Sequence, residues 1–275
     1  MVLFPFGGNY SYQRDGIPCI FACSRFMFNL QMKDLILKTE KIVCYIPAFN
    51  AERLIEGVIQ SIPEDARDGI DTFLVIDDGS TDETFRVCSD LSRQFSKIRI
   101  LRHEKNRGYG AAQKTAFEWI LENGGDIGVM LHSDGQYPPE YLLPMLKPFS
   151  EGADVVGGSR ILYGDMRDGG MSLTRFYGTL FLNGLENLVF RQKLTSYHSG
   201  YKAYSREAIQ RIPFLEYSDT FNFDSEMLVG AIRNELEIAE VPIPTIHGEG
   251  FSSLKPVPYG LSVLRTVIRY IFGKI

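Results

Sequence analysis

The residues best placed for chemistry lie in the stretch 129–140, where an apolar run ends in a short polar loop. His132, Asp134 and Gln136 occupy alternating positions of this loop, so their side chains point the same way if the backbone is extended. A carboxylate there could bind a divalent cation that bridges the two phosphates of a nucleotide-activated donor. We therefore predict a catalytic centre with Asp134 as the principal metal ligand and with His132 and Gln136 completing the set. A structural histidine is the competing interpretation of His132.

An acidic turn at residues 77–82 follows another apolar run. Asp77 or Asp78 could accept a hydrogen bond from a ribose hydroxyl or a base N–H, and Gly79 would let the backbone approach that ligand closely. A simple helix-capping turn is the alternative, because Asp and Ser are common in such turns. The turn indicates a nucleotide site only in combination with the loop at 129–140.

Two carboxylates, Asp224 and Glu226, are candidates for a general base that takes a proton from an acceptor hydroxyl. An acceptor that is a phosphate monoester carries its own anion and needs little base. Helix N-terminal acids that complement the helix dipole are the alternative interpretation. Arg160 and Lys202 could contact a diphosphate or an acceptor phosphate, although most surface cations are solvated.

Strand-like and helix-like stretches alternate from Lys41 onward, which indicates an α/β fold with a mainly parallel sheet and right-handed crossovers. The expected strands are 41–47, 72–76, 98–101, 127–131, 153–158 and 238–243, and the expected helices are 51–62, one ending near 95, 111–122, 138–146, 173–189 and one opening at 222. Ligands of such sheets bind outside the carboxyl ends of the strands, where Asn50, Asp77, Asp78 and the 132–136 loop fall.

The chain is divided into three parts in our interpretation. Residues 1–40 show no sustained period, so we expect an N-terminal extension, either a flap or residues upstream of the true start codon. One domain follows at 41–256, and 257–275 form a C-terminal amphipathic helix that packs on the domain or lies on a membrane surface. Residues 161–175 are expected to form a mobile loop over a ligand. No stretch reaches the roughly 20 uninterrupted apolar residues that a membrane span needs.

Composition narrows the partners and the compartment. The 275-residue chain has a formal net charge of −5, which argues against nucleic acid, because nucleic-acid binding draws on clustered Lys and Arg. Four cysteines are few for this length, and Cys44 and Cys88 lie in apolar stretches, as expected in a reducing cytoplasm. No secretory signal is visible. We expect a cytoplasmic protein that is at most peripheral at the cytoplasmic face of a membrane.

Four ordered motifs carry a family resemblance: IPAFNAE from Ile46, VIDDGSTD from Val75, NRG from Asn106 and SDGQYPPE from Ser133. From about Lys41 to Ile246 the chain resembles the family 2 glycosyltransferases of GT-A fold, above all the branch of dolichyl-phosphate mannosyltransferase and polyprenyl-phosphate glycosyltransferases. The resemblance implies a Rossmann-like, mainly parallel twisted sheet flanked by helices, with a small antiparallel addition near the acceptor side. It also implies a UDP- or GDP-hexose donor, inversion at the anomeric carbon, and a divalent cation, Mn²⁺ or Mg²⁺.

The resemblance also assigns roles to individual residues. The catalytic set that it implies is Asp134, Asp224 and Glu226, and the nucleotide-sugar-binding set is Pro47, Asn50, Glu52, Asp77, Asp78, Ser80, Gly108, Lys114, Ser133, Arg160, Ser199, Gly200, Lys202, His247 and Lys255. The metal set is Asp134, Gln136 and His132. His132 departs from the pattern, because that branch has an Asp at this position. An imidazole removes one negative charge from the site and suits Mn²⁺ better than Mg²⁺.

We expect a hexosyltransferase whose acceptor is a polyprenyl or dolichyl phosphate. A transferase that uses a saccharide acceptor, and a non-catalytic nucleotide-sugar-binding relative suggested by His132, are the alternatives. A nucleotidyltransferase would share the nucleotide-binding half-sheet, but no Gly-rich basic loop follows the first strand to hold a triphosphate. Peripheral contact with a membrane and a homodimer are both left open.

Overall fold

The computed structural model describes residues 39–164, 173–245 and 256–275. The predicted N-terminal extension, the middle of the predicted loop at 161–175, and the candidate residues His247 and Lys255 lie outside the described residues. The boundary expected at 41 agrees with the start of the first strand, and the boundary expected at 257 falls one residue into the last helix. The predicted division into domains stays a prediction.

A seven-stranded sheet organises the described residues. Its strands are β1 (Ile42–Ala48), β2 (Thr72–Asp77), β3 (Ile98–Arg102), β4 (Ile127–Met130), β5 (Val155–Ser159), β6 (Lys202–Ser205) and β7 (Ile238–Pro242), in the order β3-β2-β1-β4-β6-β5-β7. All neighbouring pairs are parallel except those of β6, which runs antiparallel to both β4 and β5. The mainly parallel sheet with an antiparallel addition confirms the predicted fold class.

Helices cover both faces of the sheet. They are α1 (Ile55–Gln60), α2 (Glu64–Gly69), α3 (Thr84–Gln94), α4 (Tyr109–Glu122), α5 (Leu142–Leu146), α6 (Arg160–Tyr163), α7 (Leu173–Phe190), α8 (Arg206–Arg211), α9 (Phe223–Arg233) and α10 (Pro256–Ile271). Two predicted helices are shorter than expected, since Ala51 to Leu54 form a turn before α1 and a 3₁₀ turn at Pro139–Tyr141 precedes α5. The sequence analysis missed α2, α6 and α8, which have four to six residues and therefore show no helical period.

The core forms two layers, one on each face of the sheet. Along β1, Ile42, Cys44 and Ile46 point to one layer, which contains α1, α3 and α5, while Val43 and Tyr45 point to the other, which contains α4, α8 and α9. Because both faces are covered, the central strands are continuous apolar runs rather than alternating ones. In the observed parallel register, the carboxyl ends of β1, β2 and β4 reach one edge of the sheet together.

The last helix closes the structure on the side of α7 and α9. α10 contacts both of these helices, and Arg269 of α10 forms an ion pair of 2.6 Å with the buried Glu226 of α9. Among the described residues, no helix combines the length and the apolar character needed to cross a membrane.

Candidate active site

The loops after β1 and β2 interlock at the edge of the sheet. The backbone N–H of Asn50 donates to Ser80 Oγ at 3.0 Å, and Asn50 Oδ1 accepts from the Thr81 backbone N–H at 2.9 Å. Glu52 reaches the same turn, accepting from the Glu83 backbone N–H at 2.9 Å. The structure thus brings the predicted Asn50, Glu52 and Ser80 together, and their hydrogen bonds hold the two loops against each other.

Asp77 and Asp78 are both buried and both engaged within the protein. Asp78 accepts from His103 Nδ1 at 2.6 Å and from the backbone N–H groups of Arg107 and Gly108 at 2.9 and 2.8 Å. Asp77 lies 3.1 Å from Arg102 Nε. Both carboxylates therefore position the loops around the predicted nucleotide pocket, and Asp78 in particular fixes the predicted Gly108.

A tight approach explains the glycine of the acidic turn. Gly79 has a φ of +68°, and a Cβ there would lie 2.3 Å from the backbone carbon of Lys105. Any other residue would force the 105–108 loop away from the turn, because backbone cannot yield as a flexible side chain can. The turn and the loop that Asp78 holds are thus packed backbone to backbone.

The loop after β4 carries the predicted metal set, but its backbone is not extended. Asp134 Oδ1 accepts from the Gln136 backbone N–H at 3.0 Å, and Gly135 has a φ of +72°. These features make a turn, so the premise that His132, Asp134 and Gln136 share one direction by strand alternation is wrong. Ser133 Oγ donates to the Pro47 carbonyl at 2.9 Å, which joins this loop to the end of β1.

His132 is held on three sides. Its Nε2 lies 3.1 Å from the Gly200 carbonyl oxygen, and since a carbonyl only accepts, we assign the proton to Nε2. The imidazole also lies 4.5 Å from the Tyr137 ring and 5.9 Å from the Tyr109 ring, centroid to centroid. His132 therefore joins the β4 loop to the Ser199–Gly200 segment, and Nδ1 is its acceptor nitrogen in the neutral tautomer.

The described side chains do not form a complete metal site by themselves. Within the described ranges, no group of three or more His, Cys, Asp and Glu side chains is arranged to hold a metal. Mg²⁺ and similar cations at diphosphates commonly take one or two carboxylates from the protein and the remaining ligands from phosphates and water. A half-buried Asp134 carboxylate fits a cation of that kind.

Asp224 lies at the N-terminus of α9 in a buried polar network. It accepts from Gln113 Nε2 at 2.8 Å and from the Tyr109 hydroxyl at 3.0 Å. Burial raises the pKa of Asp224, and the charge of Lys202 is the largest opposing influence. Lys202 is itself buried on β6, and burial lowers its pKa. Asp224 and Lys202 are thus two desolvated groups of opposite charge, and each acts on the pKa of the other.

Arg160 and Gly200 pack against the β4 loop. Arg160 donates to the Gln136 carbonyl at 3.2 Å, and its guanidinium carbon lies 4.7 Å from the centre of the Tyr137 ring. The Tyr137 hydroxyl in turn accepts from the Gly200 N–H at 2.9 Å. A Cβ on Gly200 would lie 2.7 Å from His132 Nε2, so the close packing of the two segments requires glycine.

Two predicted site residues have their contacts elsewhere. Glu226 accepts from Arg269 and from the Ser218 backbone N–H at 2.6 and 2.7 Å, and Lys114 forms an ion pair of 2.7 Å with Asp219. Positions two apart on a helix do not face each other, so Glu226 cannot share the environment of Asp224. Both residues therefore hold the 218–219 loop in this structure rather than joining the cluster at the strand ends, and their predicted roles in the site stay predictions.

The sequence analysis also missed residues that shape the site. Tyr109, Gln113, His103 and Tyr137 were not selected, although each contacts a selected residue. Tyr109 and Gln113 are four residues apart on α4 and therefore lie on one face of the helix. A buried glutamine in an otherwise apolar helix face was the available signal for this network.

Comparison with known proteins identifies the family. Residues 43–212 match the model of the family described as glycosyl transferase family 2. The chain belongs to this family. As a family 2 member it is a nucleotide-sugar-dependent glycosyltransferase, which confirms the predicted enzyme class.

Two relatives match most of this glycosyltransferase. It is 30% identical over 221 residues to a UDP-N-acetylglucosamine–dolichyl-phosphate N-acetylglucosaminyltransferase of Methanococcus voltae, covering 76% of this chain and 86% of the relative. It is 28% identical over 214 residues to a polyprenol monophosphomannose synthase of Mycolicibacterium smegmatis, covering 74% and 77%. The predicted resemblance to the polyprenyl-phosphate branch is thereby confirmed.

Solved structures share the fold. Glucosyl-3-phosphoglycerate synthase from Mycobacterium tuberculosis, in complex with Mn²⁺, UDP and glucosyl-3-phosphoglycerate, superposes with a TM-score of 0.64 at 21% identity, covering 96% of this chain and 86% of that one. A Mg²⁺ and UDP complex of the same synthase gives a TM-score of 0.65 at 19% identity, covering 94% and 85%. At this identity the likeness shows the fold alone.

Proposed function

We propose that this glycosyltransferase moves a hexose from a UDP- or GDP-hexose to a polyprenyl or dolichyl phosphate, with inversion at the anomeric carbon. The names of the relatives support a lipid-phosphate acceptor. The observation that carries the proposal within this chain is the placement of Arg160. Its Nε is buried and has no hydrogen-bond partner in the described part of the chain, while the rest of the guanidinium is fixed beside the β4 loop. A fixed guanidinium with an unsatisfied donor suits a phosphate oxygen.

The donor half of the proposal uses the interlocked loops after β1 and β2. Asn50, Ser80 and the loop that Asp78 fixes would enclose the nucleotide. Asp134, with Gln136 and His132 beside it, would hold a divalent cation. Such a cation, when bound, neutralises charge that develops on the leaving diphosphate.

The transfer step is an in-line displacement. An oxygen of the acceptor phosphate forms a bond to the anomeric carbon as the bond to the nucleotide diphosphate breaks on the opposite face. A phosphate monoester is already anionic, so Asp224 is proposed to orient the acceptor or the sugar rather than to remove a proton. Gln113 and Tyr109 hold that carboxylate in place through hydrogen bonds.

Glycolipid formation tests the proposal directly. UDP- and GDP-hexoses should yield a polyprenyl phosphate hexose in detergent with Mn²⁺ or Mg²⁺, with the anomeric configuration opposite to that of the donor. Asp134→Ala should lower turnover by about a hundredfold or more, whereas Glu151→Gln, an exposed acid on another segment, should not change it. Transfer to a saccharide but not to lipid phosphate would refute the proposed acceptor, and turnover of nucleoside triphosphates alone would refute the transferase mechanism.

The KM for the acceptor tests the proposed role of Arg160. Arg160→Met should raise KM for polyprenyl phosphate by about tenfold and leave KM for the donor unchanged, because the guanidinium would meet the acceptor phosphate. Arg93→Met, which removes an exposed cation of α3, is the matched control. An equal effect of Arg160→Met on both KM values would contradict the assignment.

A further inference from the structure

α7 exposes large apolar side chains along one side, while two of its polar side chains are buried. Tyr177, Phe181 and Leu188 are 65%, 70% and 77% exposed, whereas Asn183 and Glu186 are 5% and 2% exposed. The exposed residues follow each other at helical spacing and make one stripe along the helix. A surface helix normally shows the opposite arrangement, so this stripe calls for a partner that shields it from water.

The polar face of α7 is fixed by specific contacts. Asn183 Nδ2 donates to the Thr195 carbonyl at 2.6 Å, and Glu186 lies 3.0 Å from His198 Nε2. Rotation of the helix to bury Phe181 would leave these buried polar groups without their partners. The apolar stripe is therefore held outward by the same contacts that tie α7 to the 195–200 segment of the candidate site.

α10 also exposes apolar side chains beside α7. Leu261 and Ile268 are exposed on one side of α10, and Phe272 is exposed in the turn directly after it. Thr266 on the other side of α10 hydrogen-bonds to Asn222 at 3.0 Å. The helices touch each other, with ring centroids of Phe190 and Tyr270 at 4.8 Å. We call this surface the two-helix face, and its exposed apolar residues are Tyr177, Leu180, Phe181, Leu188, Leu261, Ile268, Ile271 and Phe272.

The two segments that form the two-helix face are basic, whereas the whole chain is acidic. Residues 173–193 and 256–275 contain six cations, Arg175, Arg191, Lys193, Arg265, Arg269 and Lys274, and one acid, Glu186, although the whole chain has a net charge of −5. Arg269 is paired with Glu226, and the cations Arg191, Lys193, Arg265 and Lys274 are exposed. Apolar side chains bordered by Lys and Arg are typical of helices that lie in the headgroup region of an anionic bilayer. A second copy of this chain would instead bring like charges together across a two-fold axis.

We propose that the two-helix face docks on an anionic lipid bilayer, with α7 and α10 lying in the membrane plane. The docking stands on the exposed stripes and on their charge, and it goes beyond the proposed function, because it would hold for any acceptor. If the acceptor is a lipid phosphate, docking also brings the 195–200 segment and the N-terminus of α9 toward the lipid.

Vesicle sedimentation of the full chain tests the docking. The intact chain should sediment with vesicles of phosphatidylcholine and phosphatidylglycerol and much less with phosphatidylcholine alone. Phe181→Glu with Leu188→Glu, and separately Leu261→Glu with Ile268→Glu, should weaken binding to the anionic vesicles by about tenfold or more, because each pair removes buried apolar area and adds repulsion. Leu215→Glu, an equally exposed leucine outside both helices, is the matched control and should bind as the intact chain does.

A second measurement guards against variants that do not fold. All of these positions are exposed, so thermal midpoints should stay within about 3 °C of the intact chain. In addition, Phe181→Trp should show a blue-shifted emission and quenching by brominated lipid when anionic vesicles are added, and Leu215→Trp should not.

Three outcomes would overturn the docking. These are no sedimentation of the intact chain, unchanged sedimentation of both paired variants, and a dimer in solution that the same substitutions dissociate while vesicles bind no protein. Donor binding, measured in the same preparations, distinguishes the docking from the proposed function. A chain that binds UDP or GDP but no vesicles refutes only the docking. A chain that binds vesicles but neither UDP nor GDP refutes only the donor site.

Discussion

His132 links two segments of the candidate site through a single imidazole. Its contacts with Gly200, Tyr109 and Tyr137 hold the ring in place, and the ring contributes no fixed negative charge beside Asp134. A hard cation such as Mg²⁺ prefers oxygen ligands, whereas imidazole is a better ligand for Mn²⁺. The residue type at this position should therefore set the choice of cation.

Replacing His132 tests this choice. His132→Asp adds a carboxylate, so we expect the ratio of activity with Mg²⁺ to activity with Mn²⁺ to rise by about tenfold. His132→Asn is the matched control, because it removes the imidazole without adding charge. Initial rates across a titration of each cation provide the measurement. If both variants leave the ratio unchanged, His132 acts through packing alone.

Asp224 should make stability depend on pH. Burial raises the pKa of Asp224, so the folded state holds its proton more tightly than the unfolded state does. Stability is therefore lost as pH rises from the ordinary Asp pKa through the raised one, because the ionised carboxylate is desolvated. The side chain at position 224 cannot ionise in the Asp224→Asn variant. As pH rises through that interval, the free energy of unfolding of the variant should therefore increase relative to that of the intact chain. Urea denaturation from pH 4 to pH 8 measures the difference, and a constant difference would contradict the burial argument.

Individual side chains show how far sequence reasoning reaches at this scale. Asp134 and Asp224 were selected because a carboxylate at a strand end or a helix start is a recognisable pattern. Glu226 was selected with Asp224 by proximity in sequence, and its pairing with Arg269 depends on α10, which no local pattern reveals. Tyr109 was passed over because a tyrosine carries no motif, and its role arises only when α9 brings Asp224 within 3.0 Å.

At the scale of helices and strands, an element can be predicted from the sequence when its hydrophobic pattern is long and regular. β1, β2 and β4 are continuous apolar runs between turn residues, and each was predicted to within two residues. β6 was missed because it has four residues and begins with Lys202, whose burial is made possible by acids from other elements. Its antiparallel direction reflects the path of the chain from α7, which local sequence does not encode.

The contact between α9 and α10 should contribute measurably to stability. Arg269 donates to the buried Glu226 at 2.6 Å, and removing one partner leaves a buried carboxylate without its charge partner. Arg269→Met should therefore lower the free energy of unfolding by about 2 kcal/mol. Arg265→Met, an exposed position one turn earlier, should change it by less than about 0.5 kcal/mol. Urea denaturation of both variants gives the comparison, and equal effects would show that the ion pair contributes nothing specific.

At the scale of the whole molecule, an acidic chain must bind an anionic donor. The chain has a net charge of −5. Four of its carboxylates, Asp77, Asp78, Asp134 and Asp224, lie at the end of β2, in the loops after β2 and β4, and at the start of α9. Arg102 and Lys202 oppose the charges of Asp77 and Asp224, and His103 hydrogen-bonds to Asp78. In the described ranges Asp134 has no such cationic partner, so it is the carboxylate left to hold a divalent cation.

Ligand-dependent stability tests that electrostatic arrangement in the intact protein. A ligand that binds only the folded state at about 100 times its Kd adds about 2.7 kcal/mol, which should raise the thermal midpoint by roughly 5–10 °C. UDP or GDP should give this shift only with Mn²⁺ or Mg²⁺, because the cation must offset the diphosphate charge near the carboxylates. UMP and GMP lack the second phosphate and should show little dependence on the cation. In Asp134→Ala the cation dependence of the diphosphate shift should disappear while the monophosphate shift remains. Equal cation dependence for monophosphates and diphosphates in the intact chain would show that the cation site lies away from the diphosphate.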